Sequence, residues 1–562
     1  MNLKVSYVFA LGAALALSSC GKKLGQFSSD YFSVNPNPLE VVGEKVPATV
    51  TGNIPPKFFV KNASVTVTPY LVYNGTEMAS QPYSFQGENV RGNAPTINYE
   101  RGGSVTIPAA FPYAPEMNKS ELELAFTVNQ GNKQYVLPRV KVANGVVATA
   151  ALADAGTVNP ALAPDKFQRV IEEKYAADIM FLINRANIRS SELSTNAMTE
   201  LQNEIRSAHG DTSRVIRELN IQSYASPEGG LDLNTRLAQE RENNTSAYLK
   251  NQLKKDKITE FGELTAQFTP EDWEGFQRLV AQSNIQDKDL ILSVLSMYND
   301  PEQREREIRN LSNVFEQLAD QILPQLRYSR ITASIDVIGK SDAEIKNLFA
   351  SNPKALSVDE ILYAATLTDD NNQRLQIYNQ AVEQYPEDYR TWNDLGMAQY
   401  IDGDYSAAKA SFKKASQVDS KAAEPQMNLG LIELLDKNYD KANQLFGAAA
   451  GVGGLNEALG VYALKMGDAS SAVRAFGDSK SNNAALAQIL TKDYNKAKST
   501  LAGINAPDAT TYYLMAILGA RTNNEKMVTT NLRQAIRLDK SLASRAASDL
   551  EFANFNLSSA LN

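Results

Sequence analysis

Few side chains in this sequence could carry covalent or metal chemistry. There is one histidine, His209, in the loop-like run Ala208-His209-Gly210-Asp211, and one cysteine, Cys20. Zinc, haem and iron–sulfur sites need several such ligands converging, so no metal and no cofactor is implied. A disulfide framework is excluded as well. The run Ser226-Pro227-Glu228-Gly229 lacks the glycine that precedes the serine of a nucleophile elbow. The carboxylate pairs Glu172-Glu173 and Asp369-Asp370 fall on regular or turn-like stretches without a pocket signal, and no phosphate loop is present. The expectation is a protein that is not an enzyme. The richest polar constellation is the loop Ala225-Ser226-Pro227-Glu228-Gly229-Gly230. It follows an apolar stretch, Leu219 to Tyr224, and leads into a helix over 234–250. On that helix Leu237, Arg241, Thr245 and Tyr248 share one face by their three- and four-residue spacing.

The elements that must position these groups belong to a long chain. At ~100–200 residues per domain, 562 residues predict three or four domains. The 56 basic and 64 acidic side chains leave a net charge of −8. A nucleic-acid binder would need a basic face, so nucleic acid is not an expected partner. A hydrophobic share of 43% fits globular domains.

Residues 1–19 begin with a cation at Lys4 and continue as a short apolar run, too short to span a bilayer and of the kind found in export signals. The following Leu17-Ser18-Ser19-Cys20-Gly21 resembles the bacterial lipoprotein processing box, which implies lipidation at Cys20 and a membrane partner through acyl chains. Gly21, rather than aspartate, implies the outer membrane. Lys22-Lys23 is unlike the acidic surface-export tags of Bacteroidota lipoproteins, so a periplasm-facing protein is expected. Residues 20–37, rich in Ser, Asn and Pro, read as a tether.

Over 38–148 the pattern alternates apolar and polar, as in Val46 to Thr51, Ala63 to Thr68, Leu122 to Val128 and Tyr135 to Val142, with Gly- and Asn-rich turns between. This predicts an all-β immunoglobulin-like sandwich. Residues 149–164, small with two prolines, read as a linker.

Residues 165–340 predict an α+β domain. Strands are expected at 177–184, 219–224, 264–268 and 330–337. Helices are expected over 195–208 and 234–250, with a helical insertion at about 270–327. The strand–loop–helix segment resembles the OmpA-like family, which includes peptidoglycan-associated lipoproteins. Tyr224 matches the family's loop aromatic, Gly229 its glycine, Asn234 its asparagine, Leu237 its leucine and Arg241 its helix arginine. The resemblance implies binding of a peptidoglycan stem peptide, with the arginine fork on the ligand's carboxylate. The implied site is Tyr224, Ser226, Glu228, Asn234 and Arg241. Ser226 stands where the family has the aspartate that takes the ligand's ammonium, with Glu228 two residues on.

The C-terminal third repeats. Trp392, Leu395, Gly396, Ala408, Phe412 and Ala415 set a frame whose last five positions recur 34 residues later as Leu429, Gly430, Ala442, Phe446 and Ala449, and it continues through Leu459, Gly460, Ala472 and Phe476. These are the signature spacings of the tetratricopeptide repeat, and an all-α solenoid is expected over 357–562. Polar positions on first helices, namely Asn393, Gln399, Asn428 and Glu433, are candidates for a groove that binds an unidentified protein partner. The expected protein is a non-catalytic lipid-anchored scaffold that tethers the envelope to peptidoglycan and binds a protein through its repeats. The alternative is a component or assembly factor of an outer-membrane protein or fimbrial complex whose OmpA-like domain no longer binds peptidoglycan.

Overall fold

Apolar residues on alternate positions force a strand to bury one face, and the N-terminal region answers with two facing, mainly antiparallel sheets. The protein is described here by a computed structural model covering residues 23–285, 287–310 and 312–561. The signal segment 1–19 and Cys20 lie outside the described residues. The strands Phe32–Asn35, Lys45–Ile54 and Gly103–Pro112 form one sheet. The second runs in the order Lys133–Asn144, Ser120–Gln130, Ala63–Tyr73, Tyr83–Gly87, Thr96–Ile97. Val46, Val50, Ile107 and Phe111 from the first sheet meet Val65, Val67, Leu124 and Phe126 from the second in a single core.

That core extends into the expected tether. Leu24, Phe27 and Phe32 are buried in it, and the Phe27 ring stacks on Phe126 with centroids 4.4 Å apart. The span 20–37 is therefore not a tether over its described part beyond Lys23. Its polar texture hides two aromatic anchors and an edge strand, Phe32–Asn35.

The chain divides into two compact units: residues up to Pro164 together with Arg374 onward, and Asp165–Gln373. In the first, helices pair as hairpins: Tyr389–Ile401 with Tyr405–Val418, Ala423–Leu435 with Tyr439–Gly447, Leu455–Met466 with Ala469–Phe476, Asn482–Leu490 with Tyr494–Ala502, and Ala509–Arg521 with Glu525–Leu538. Aspartates start several second helices: Asp404, Asp468 and Asp493 each accept a first-turn backbone N–H. A Cβ on Gly396, Gly430 or Gly460 would stand 2.5–2.6 Å from the ring of Phe412, Phe446 or Phe476 respectively. These glycines let the two helices of a hairpin approach across a phenylalanine, which explains the repeat signature.

In the second unit, a four-stranded sheet has the order Val170–Met180, Tyr328–Ile338, Arg214–Tyr224, Glu263–Thr269, with only the last pair parallel. The helices Asn196–Gly210 and Leu231–Lys255 cover one face, closing a core of Ile179, Leu201, Ile205, Leu219, Ile221, Leu249 and Ile331. The first strand starts and ends earlier than expected, because Phe181 to Asn184 turns away beyond the sheet. The insertion forms Trp273–Gln282, Lys288–Met297, Pro301–Asn310 and Ser312–Gln321 around its own small core. The helix Val358–Thr366, expected to open the solenoid, instead stays with this unit. Its Tyr363 stacks on Phe167 with centroids 4.3 Å apart and donates to Asp342 at 3.0 Å. Among the described residues no helix is long and apolar enough to cross a membrane.

The glycine contacts give a direct check on the repeat packing. Gly430→Val should cost about 1–3 kcal/mol by overpacking against Phe446. Gly447→Ala, whose Cβ would meet no atom within 4 Å, should lose nothing. Equal urea midpoints for the two variants would refute this account.

Candidate functional site

Two sets of polar side chains were expected to face ligands, and the structure engages most of both internally. The first set belongs to the solenoid. Residues 149–164 do not hang between domains as a linker but lie along the first helices of the hairpins. The Ala161 N–H donates to Asn428 Oδ1 at 2.6 Å, while Asn428 Nδ2 donates back to the Ala161 carbonyl at 2.8 Å. Asn393 Nδ2 donates to the same carbonyl at 3.0 Å. The Ala163 N–H reaches Asp394 Oδ1 at 2.8 Å. Further along, the Asp154 N–H donates to Asn483 Oδ1 at 3.0 Å, and Asn483 Nδ2 returns to the Asp154 carbonyl at 2.9 Å. Tyr400 donates its hydroxyl to the Ala155 carbonyl at 3.4 Å and Arg390 Nη1 to the Pro164 carbonyl at 3.3 Å. At the other end Thr149 bonds Glu551, whose carboxylate is held by Arg521 at 2.6–3.0 Å.

Asn393 and Asn428, expected to line a groove for a partner protein, are buried and bond this chain's own backbone. Gln399 and Glu433 do not join them. Gln399 accepts from Ser411 of its own hairpin at 2.7 Å. Glu433 is buried among Lys409 at 3.1 Å, Lys441 at 2.8 Å and Asn438 at 2.7 Å. Burial opposes its ionisation, but these donors prevail and lower its carboxyl to about 2. Sequence reasoning missed Asp394, Tyr400 and Asn483. Asp394 was within reach, since it occupies the position of Asn428 one repeat earlier.

The second set surrounds Arg241, which is 1% exposed and not a surface fork. Its Nε donates to the Arg185 carbonyl at 3.1 Å, Nη1 to the Tyr224 carbonyl at 2.7 Å and Nη2 to the Leu182 carbonyl at 3.5 Å. Its guanidinium carbon also sits 5.1 Å from the centroid of the Phe181 ring. Burial, with the like charge of Arg327, lowers its pKa to about 10. Glu228 does not face a ligand ammonium either: Arg327 grips it with two bonds of 2.8 and 2.9 Å, and Ser226 donates to it at 2.8 Å. Asn234 is buried, donating to the Gly229 carbonyl at 2.6 Å and to Glu271 at 3.0 Å. Tyr224 stacks on Tyr328 with centroids 4.6 Å apart. The insertion closes over the loop, with Arg309 bonding the Glu228 carbonyl and Pro227 set among Trp273, Phe276 and Leu323.

His209 lines a separate cleft of about 760 Å³ with Arg214 and Arg217. Both arginines are already paired, with Glu173 and Glu204 and with Glu172 respectively.

No model of a known protein family matches the chain, and no curated protein matches it. Among solved structures it is similar to YrrB, described as a tetratricopeptide repeat protein with an unusual peptide-binding site. That match has 22% identity and a TM-score of 0.24, and covers 30% of this chain and 97% of that one. It is also similar to a tetratricopeptide repeat protein from Parabacteroides merdae, at 12% identity and a TM-score of 0.29, covering 36% and 88%. A third match, PilF of Pseudomonas aeruginosa, has 18% identity and a TM-score of 0.27, covering 35% and 91%.

Asp394 makes the groove sensitive to pH. Burial raises its carboxyl to about 8, against the opposing bonds from the Ala163 N–H and Asn393 and the charge of Arg390. A carboxyl raised on folding keeps its full contribution below its unfolded value near 4 and loses it as pH climbs through the folded value. Wild-type thermal stability should therefore fall between pH 5 and 8.5, by on the order of a few kcal/mol. Asp394→Asn, which keeps an acceptor for the Ala163 N–H, should flatten that slope. Parallel melting profiles for the two proteins would refute the assignment.

Proposed function

We propose that this protein is a non-catalytic, lipid-anchored scaffold of the bacterial outer membrane that works within a protein complex of the envelope. Its OmpA-like domain serves that assembly without holding a peptidoglycan stem peptide through Arg241. The strand, polar loop and arginine-bearing helix occur in the order that the OmpA-like resemblance implies, and the helical repeats supply the protein-binding scaffold. The observation that favours an assembly component over a wall tether is the state of Arg241. Its guanidinium bonds three backbone carbonyls at 2.7–3.5 Å, and the neighbouring Glu228 is bound to Arg327. A ligand carboxylate would have to displace these bonds and leave buried backbone carbonyls unpaired, each at about 1–3 kcal/mol.

The full chain, mixed with isolated peptidoglycan and centrifuged, should stay in the supernatant. Co-sedimentation that free diaminopimelate competes away would overturn this reading and restore the tether. For the anchor, Cys20→Ala should release the protein from the membrane fraction into the soluble one, and unchanged retention would remove the lipid-anchored part of the proposal.

A further inference from the structure

The contacts that hold residues 149–164 are those of a receptor for a peptide main chain. Asn428 donates to and accepts from one residue, Ala161, and Asn483 does the same to Asp154. Paired contacts of this kind read backbone N–H and C=O groups and are indifferent to side-chain identity, while the side chains buried beneath, Ala153, Ala155, Val158, Pro160, Ala161 and Ala163, are none of them larger than valine. Beside Asn159 to Leu162 the groove is wider than the segment fills. A cleft of about 560 Å³ opens there, lined also by Ala423, Glu424, Val452 and Gly453. Both ends of the segment are fastened, Thr149 to Glu551 and Pro164 to Arg390, so its local concentration at the groove is high.

We propose that residues 149–164 are an intramolecular ligand closing the peptide groove of the solenoid, so that a protein partner presenting an extended segment of small residues enters only by displacing it. This rests on reading the repeats as partner-binding. Capturing no partner would remove that reading while leaving the exchange rates below unchanged.

The test uses the full chain and a synthetic peptide with the sequence of residues 150–164. Amide hydrogen exchange at Asp154, Ala161 and Ala163 should be slow in the chain alone, and should accelerate severalfold when excess peptide takes the place of the segment. Exchange at exposed-loop rates without peptide would overturn the proposal, as would rates that excess peptide leaves unchanged. In a second arm, residues 153–163 of the full chain are replaced by alternating glycine and serine. The intact chain should then bind labelled peptide at least about tenfold more weakly than the opened one. Equal affinity for the two chains would overturn the proposal.

Discussion

An irregular segment can be buried only if every main-chain N–H and C=O it takes out of water finds a partner, and this constraint organises the larger unit. The stretch from Thr149 to Ala163 has no helix or sheet ladder of its own beyond two short turns. Ala150, Ala153, Ala155, Ala161 and Ala163 are nevertheless buried. Asn393, Asp394, Asn428 and Asn483 make that possible, because each sits on a first helix facing the segment and supplies the missing donor or acceptor. The sandwich is thereby fixed to the repeats by a strap as well as by direct contacts. One of these is the ion pair of Glu44 with Lys437 at 2.9 Å; another is the close approach of Gly43 to the Lys465 carbonyl.

The same accounting operates in the smaller unit with a charged donor. The chain leaves the strand Val170–Met180 and turns through Leu182 and Arg185, presenting carbonyls that no strand satisfies. Arg241, reaching in from the helix Leu231–Lys255, takes them together with the carbonyl of Tyr224. Ser226 and Glu228 meet Arg327, which lies just before the final strand. Residue types that resemble a ligand-binding set thus act as fasteners between the loop, the helix and the insertion.

Local patterning made the regular elements readable. Strand alternation and the repeat frame depend on neighbours in sequence, and the observed strands and hairpins extend those readings by a few residues at most ends. Non-local relations were not readable. Phe27 and Phe32 stood in a Ser- and Asn-rich run, and only the presence of Phe126 opposite them makes that run part of the core. The small residues of 149–164 carry no periodic signal, so their burial follows from a groove supplied more than two hundred residues later. Asn393 and Asn428 stand out as polar residues on first helices, but nothing local tells that they bond a segment of the same chain. The closure over Arg241 depends on an insertion whose docking side no spacing encodes.

The polar set in the groove also specifies the register of the strap. Along Ala161-Leu162-Ala163 burial alternates, at 7%, 45% and 1% exposure. A slip of one residue would push Leu162 into a space sized for alanine, at an overpacking cost of about 1–3 kcal/mol. The same slip would move the Ala161 N–H and carbonyl away from Asn428 and leave buried amide groups unpaired, each costing about 1–3 kcal/mol. Attraction alone would hold a run of small residues loosely and in many registers. The steric bar on Leu162 and the paired bonds at Ala161 select the same alignment from opposite sides, so a segment with little apolar surface of its own is held in one place.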